Sequence, residues 1–89
     1  MAKGEISWKR RTEEGEKVQV YADRVGDRWH FYWRYKRFDT WEPLEDPPLE
    51  DWLELLDGIE RRLNRRRVRP EEVVRCKKLI RERYPDAKI

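Results

Sequence analysis

The segment RWHFYWRYKRF, residues 28–38, limits the fold more than any other stretch of the chain. Trp29, Phe31, Trp33 and Tyr35 alternate with Arg28, His30, Tyr32, Arg34 and Lys36. Successive side chains on a strand point to opposite faces, so this period of two predicts a strand with one apolar aromatic face and one basic face. A slip of one residue would turn the aromatic set into water, so the pairing register is tightly specified.

Two partner strands precede it, EISWKRRT over 5–12 and KVQVYADRV over 17–25, giving a three-stranded antiparallel meander. Gly26-Asp27 is a two-residue loop with glycine first, which suits a type II′ hairpin turn. It sets Val25 opposite Arg28, Ala22 opposite Phe31, Val20 opposite Trp33 and Val18 opposite Tyr35. Glu13, Glu14 and Gly15 read as a three-residue loop, a type I turn closed by a glycine bulge. That loop sets Thr12 opposite Glu16, Trp8 opposite Val20 and Ile6 opposite Ala22. A two-residue loop would place Trp8 on the wrong face.

Past the sheet, residues 39–47 form an acidic, proline-rich stretch expected to be an irregular connection. Pro47 and Pro48 suit the first turn of a helix, where a missing N–H costs nothing. Leu49, Trp52, Leu53, Leu56, Ile59 and Leu63 recur at spacings of three and four, predicting a helix over about 48–66 with that apolar stripe. Pro70 opens a second helix over about 70–84, with Val73, Cys76, Leu79, Ile80 and Tyr84 as its stripe and Pro85 as its stop. The fold class expected is α+β, a β-β-β-α-α chain in two layers. An αα-hairpin is expected to cover the face bearing Ile6, Trp8, Val18, Val20, Trp29, Phe31 and Trp33.

At 89 residues this is one small domain, 1–89. Five Trp, four Tyr and two Phe supply its core, which argues against simple disorder although 46% of residues are charged. No run approaches the roughly 18 apolar residues of a membrane span. The start, MAKGEISWKRR, has no apolar run of the kind a secretory signal carries. Cys76 is the only cysteine, so no internal disulfide can form, and a reducing, cytoplasmic setting is expected. One His and one Cys fall short of a structural zinc ligand set, and no metal or cofactor is expected.

Charge is segmented along the chain. Residues 39–60 carry nine acidic and no basic side chains, whereas 61–83 carry eleven basic and three acidic ones. Arg predominates among the cations, and its planar fork grips phosphate or carboxylate bidentately and stacks on rings. The open face of the sheet should present Ser7, Lys9, Arg11, Lys17, Gln19, Tyr21, Asp23, Arg28, His30, Tyr32, Arg34 and Lys36. Cations interleaved with an opposed Tyr21–Tyr32 pair suit a nucleic acid, with phosphates on the charges and bases on the rings. The plainer explanation is a solvated sheet face with tyrosines filling cross-strand positions. A second candidate is RRLNRRRVR, 61–69, including Arg65, Arg66 and Arg67. A helix C-terminus favours arginine for its own sake, and Asp57 and Glu60 lie within pairing reach, so this tract also has a purely structural explanation.

Catalysis is not expected. Ser7, Asp23 and His30 share the open face and Asp23 falls opposite His30, but Ser7 lies opposite Tyr21, about two strand spacings from the histidine. An open sheet supplies neither cleft nor oxyanion hole. Cys76 sits on an apolar stripe and reads as core. Phe38 and Trp41 fall where the third strand gives way to the connection. They are expected to staple that connection over the end of the core, or, if exposed, to mark a partner site.

The order of three antiparallel strands followed by helix is similar to that of small plant DNA-binding domains that lay a sheet into the major groove. Those domains have one helix after the sheet where two are read here, and none of their motifs is matched residue by residue. The sequence therefore points to a non-enzymatic binding domain for DNA or RNA. The competing expectation is a protein-interaction module whose acidic 39–60 and basic 61–83 segments dock a charged protein or a second copy of the chain.

Overall fold

The computed structural model of the chain describes residues 5–26, 28–66 and 68–89. The elements are β1 (Ile6–Arg11), β2 (Lys17–Val25), β3 (Arg28–Arg34), β4 (Glu42–Leu44), α1 (Leu49–Asn64) and α2 (Pro70–Arg83). The architecture is α+β. The chain forms two compact units, Met1–Pro47 and Pro48–Ile89.

The first unit is an antiparallel sheet in the order β1-β2-β3-β4. Its register is the one that the aromatic alternation and the two glycine turns dictate. Ile6 pairs with Ala22 and Trp8 with Val20 across β1 and β2. Val20 pairs with Trp33, Ala22 with Phe31 and Val25 with Arg28 across β2 and β3. In the first turn the Thr12 N–H donates to the Glu16 carbonyl at 2.8 Å and the Gly15 N–H to the Thr12 carbonyl at 2.9 Å. Gly15 has a φ of 86°, as the bulge requires, and Gly26 a φ of 61°, the positive value that the first position of a primed hairpin turn requires. Asp27, the other half of that turn, lies outside the described residues.

Ile6, Val18, Val20, Ala22 and Phe31 are buried, while Trp8, Trp29 and Trp33 are half-buried. The Trp8 and Phe31 rings meet edge to face with centroids 6.0 Å apart. These residues are one face of the pleat and form the apolar side of the unit.

The structure corrects two expectations here. The third strand does not run to residue 38, and no Val18–Tyr35 pair forms. β3 ends at Arg34, and the chain turns over Lys36–Asp39. The Asp39 N–H donates to the Lys36 carbonyl at 2.9 Å, and the Lys36 N–H donates to the Asp39 carboxylate at 3.1 Å. An aspartate that satisfies the backbone of its own turn competes directly with the strand ladder. The stretch 39–47 is not wholly irregular either. It returns as β4, with Phe31 opposite Leu44, Tyr32 opposite Pro43 and Trp33 opposite Glu42. Proline is tolerated in this strand because β4 is at the edge, where one side of the backbone needs no donor.

The second unit is a pair of helices. Pro48 is the N-cap of α1 instead of a first-turn residue, and its carbonyl accepts the Asp51 N–H at 3.0 Å. Glu50 and Asp51 then meet the positive end of the helix dipole, and Arg61 and Arg62 the negative end. The apolar stripe is rotated from the expected one. Trp52, Leu55, Leu56 and Ile59 are buried, together with Asp51 and Gly58. Leu55 is fully buried, whereas Leu53 is 38% exposed. Both leucines fit a three-or-four spacing to a neighbour, so spacing alone did not separate them.

Pro70 opens α2 as expected, and Cys76 and Ile80 are its buried positions. The Arg83 guanidinium lies over the Trp52 ring, 5.3 Å from its centroid, so the end of α2 meets the start of α1 and the two helices run antiparallel. Helix α1 closes with the Arg65 N–H on the Arg62 carbonyl at 3.2 Å and the Arg66 N–H on that of Leu63 at 2.9 Å. Arg66 has a φ of 58°, the left-handed conformation that usually calls for glycine after a helix.

Candidate functional site

The second face of the sheet follows from the same pleat. Ser7 pairs with Tyr21 and Tyr21 with Tyr32, and Tyr32 in turn faces Pro43, so these four form one row across the sheet. Lys9, Gln19 and Arg34 form the next row. Arg11 and Lys17 form a third, at the end carrying the first turn. Asp23 and His30 face each other on the other side of the tyrosines, and Arg28 lies at the far hairpin.

The tyrosines stack with centroids 4.8 Å apart and ring planes 21° from parallel. Trp41 joins them, which the sequence reading did not foresee. Its ring meets Tyr21 edge to face at 4.6 Å, and the Arg34 guanidinium lies 4.2 Å from its centroid. Trp41 therefore does not staple the connection over the end of the core. It lies with the tyrosines because, one step beyond the Trp33–Glu42 pair, it comes opposite Arg34 on that face. The Arg34 Nε also donates to Gln19 Oε1 at 2.7 Å. Arg34 is thus held between an amide and an indole, a cation fixed in place on the sheet.

The phenol of Tyr21 is pushed up from its ordinary pKa of 10.0 by partial burial, then by Tyr32, Glu5 and Asp23. It stays a neutral O–H across the physiological range. Glu5 was not among the residues expected on this face. Glu5 precedes Ile6, shares the Ser7 side of the pleat and adds a second carboxylate beside Asp23. The face is therefore uneven in charge, basic toward Arg11 and Lys17 and mixed toward the far hairpin, where Glu5 and Asp23 stand with Arg28.

Among the expected contact residues, Lys9, Arg11, Arg28 and Lys36 are exposed, and Tyr21, Tyr32 and Arg34 are half-buried. The Arg11 Nη1 donates to the Gly15 carbonyl at 2.8 Å, steadying the first turn. Lys36 is in the turn beyond β3 and not in the sheet. In the helical unit Arg65 and Arg66 are exposed just past α1, and Arg67 lies outside the described residues. Part of the basic charge of this unit is matched locally: Arg61 pairs with Asp57 at 3.0 Å one turn earlier, and Arg75 approaches Glu72 at 3.9 Å. The Arg61–Asp57 pair is exposed on both sides, and such pairs are weak.

Cys76 is fully buried, and its thiol is pushed up to about 12 by burial, with Glu60 and Glu72 adding to the effect. A thiol so placed is not a nucleophile. Among the described residues no group of three His, Cys, Asp or Glu side chains could hold a metal ion, and no helix is long and apolar enough to cross a membrane. Comparison with protein-family models, curated proteins and solved structures returns no match for this chain.

Proposed function

We propose that the chain is a non-enzymatic nucleic-acid-binding domain that engages a strand through the tyrosine-bearing face of its sheet. The observation that carries this reading is the ring cluster Tyr21–Tyr32–Trp41 with Arg34 clamped on it, beside the exposed Lys9, Arg11 and Lys17. Stacked rings beside exposed cations are the combination that binds single strands: the charges follow the phosphates and the rings offer apolar surface to bases. A held guanidinium loses little freedom when it meets a phosphate, because its geometry is already set. Arg65 and Arg66 are a second, sequence-independent phosphate contact in the same proposal. A reducing, cytoplasmic setting also belongs to it, supported by the single buried cysteine.

The test is binding of labelled single-stranded DNA, RNA and duplex across a salt series, with a non-nucleic polyanion as control. Log affinity should fall linearly with log salt, by about 0.7 per single-strand phosphate contact and about 0.9 per duplex contact. Replacing Lys9, Arg11 and Lys17 together with Ala should flatten that slope by about one per lost contact. Glu42 and Glu45 to Gln should leave binding intact or raise it. No measurable binding at low salt would refute the proposal, and the cations would then serve only solubility.

A further inference from the structure

The sheet-face rings are largely engaged with one another, which leaves the question of where a base would stack. Tyr21 is met by Tyr32 and by Trp41, and Trp41 by the Arg34 guanidinium. Even Tyr35 is engaged, edge to face with Trp33 at 4.9 Å. Phe38 differs from all of these. It is 94% exposed and touches no other ring among the described residues. Fully burying a phenylalanine is worth roughly as much as burying a leucine, so the sequence forgoes that gain at this position.

The display of Phe38 is built. The Lys36–Asp39 turn is closed by two hydrogen bonds, one of them to the Asp39 carboxylate, and Phe38 occupies its third position. Beneath the turn, the Arg34–Trp41 contact ties the two strands at its neck. The exposed Lys36 and Arg37 precede the ring directly. Asp39, the nearest acid, has its carboxylate turned to the Lys36 N–H. A planar apolar ring thus stands at the tip of an ordered turn beside two cations.

We infer that Phe38 is a base-stacking residue of this domain and that Lys36 and Arg37 hold the phosphates flanking the base stacked there. This rests on the nucleic-acid reading above and adds to the tyrosine face a base contact at the β3–β4 turn. The ligand class is an unpaired strand of DNA or RNA, because a base inside a duplex offers its faces only after unstacking.

The experiment compares a short labelled oligothymidylate with an abasic strand of the same length, by fluorescence anisotropy, for the wild type and for Phe38→Ala, Phe38→Leu and Phe38→Trp. The wild type should prefer the strand carrying bases. Phe38→Ala should lose about 5- to 150-fold on that strand, the range of one base–aromatic stack, with the abasic affinity and the salt slope unchanged. Phe38→Trp should keep the preference. Phe38→Leu should weaken it as Phe38→Ala does, because leucine is apolar but has no ring face. Since the side chain is exposed, none of these changes should alter the far-UV circular dichroism. If Phe38→Ala binds both strands as the wild type does, while the Lys9, Arg11 and Lys17 replacement weakens binding, the inference is overturned and the broader reading stands. If the wild type binds neither strand, both fall. An anionic vesicle arm covers the other partner that a basic, apolar tip could suit. Vesicle binding preserved in Phe38→Leu, without oligonucleotide binding, would assign the turn to a lipid surface and overturn the inference.

Discussion

Replacing Arg66 with glycine should make the protein more stable. Arg66 follows α1 at a φ of 58°, where an L-residue's Cβ crowds the following carbonyl at a cost of about 1–2 kcal/mol. Glycine has no Cβ and removes that cost, but it gives up more backbone freedom on folding, worth roughly 0.5–1 kcal/mol. The N–H that donates to the Leu63 carbonyl at 2.9 Å is kept in either case. The difference leaves a net gain of about 0.5–1 kcal/mol. At about 4–8 °C per kcal/mol for a domain of this size, thermal unfolding followed by far-UV circular dichroism should move up by about 2–8 °C. The preceding residue is the control. Arg65 has a φ of −93°, where glycine relieves nothing and only adds entropy to the unfolded chain, so Arg65→Gly should lower the midpoint. Equal losses at the two positions would refute the reasoning.

Leu55→Ala should cost about 2–5 kcal/mol in urea denaturation, the range for a buried leucine, while Leu53→Ala should cost well under about 1 kcal/mol; equal costs would contradict the observed stripe. Cys76 should resist thiol reagents at neutral pH and react only as the helical unit opens, so its labelling rate should follow added urea. Its raised thiol pKa also sets a direction in pH. The folded state holds the proton more tightly, so this contribution is complete below the ordinary value of 9.0 and is lost as pH rises from there toward about 12. Cys76→Ala should therefore show a shallower alkaline fall in urea midpoint than the wild type, and matching falls would contradict the assignment.

The sheet register was legible because two independent signals agreed. The alternation from Trp29 to Trp33 fixed which faces meet, and Gly15 and Gly26 fixed where the chain turns. Arg34 as the end of β3 was not legible. The alternation continues through Tyr35 and Lys36 unbroken, and only the side chain of Asp39 gives the turn away. Strand β4 was hidden because Pro43 and its acidic neighbours oppose strand propensity, while an edge position needs only one bonded side. That omission carried into the site. With β4 unseen, Trp41 had no register and could not be put opposite Arg34, so the tyrosine pair was legible but the indole that completes the cluster was not.

Strand β4 also bears on how this protein behaves when crowded. An open sheet offers its outermost strands as templates for added chains, the first step of ordered aggregation. β4 is three residues long and its central one is Pro43. Proline cannot donate to any ladder, so the outward slot it fills withholds the N–H that an incoming strand would need. The opposite border, β1, carries the exposed Lys9 and Arg11, and a second copy of β1 laid against it would bring like charges together. Both borders of the sheet thus oppose strand-by-strand growth, which allows a chain so rich in tryptophan and tyrosine to keep a sheet open at both ends.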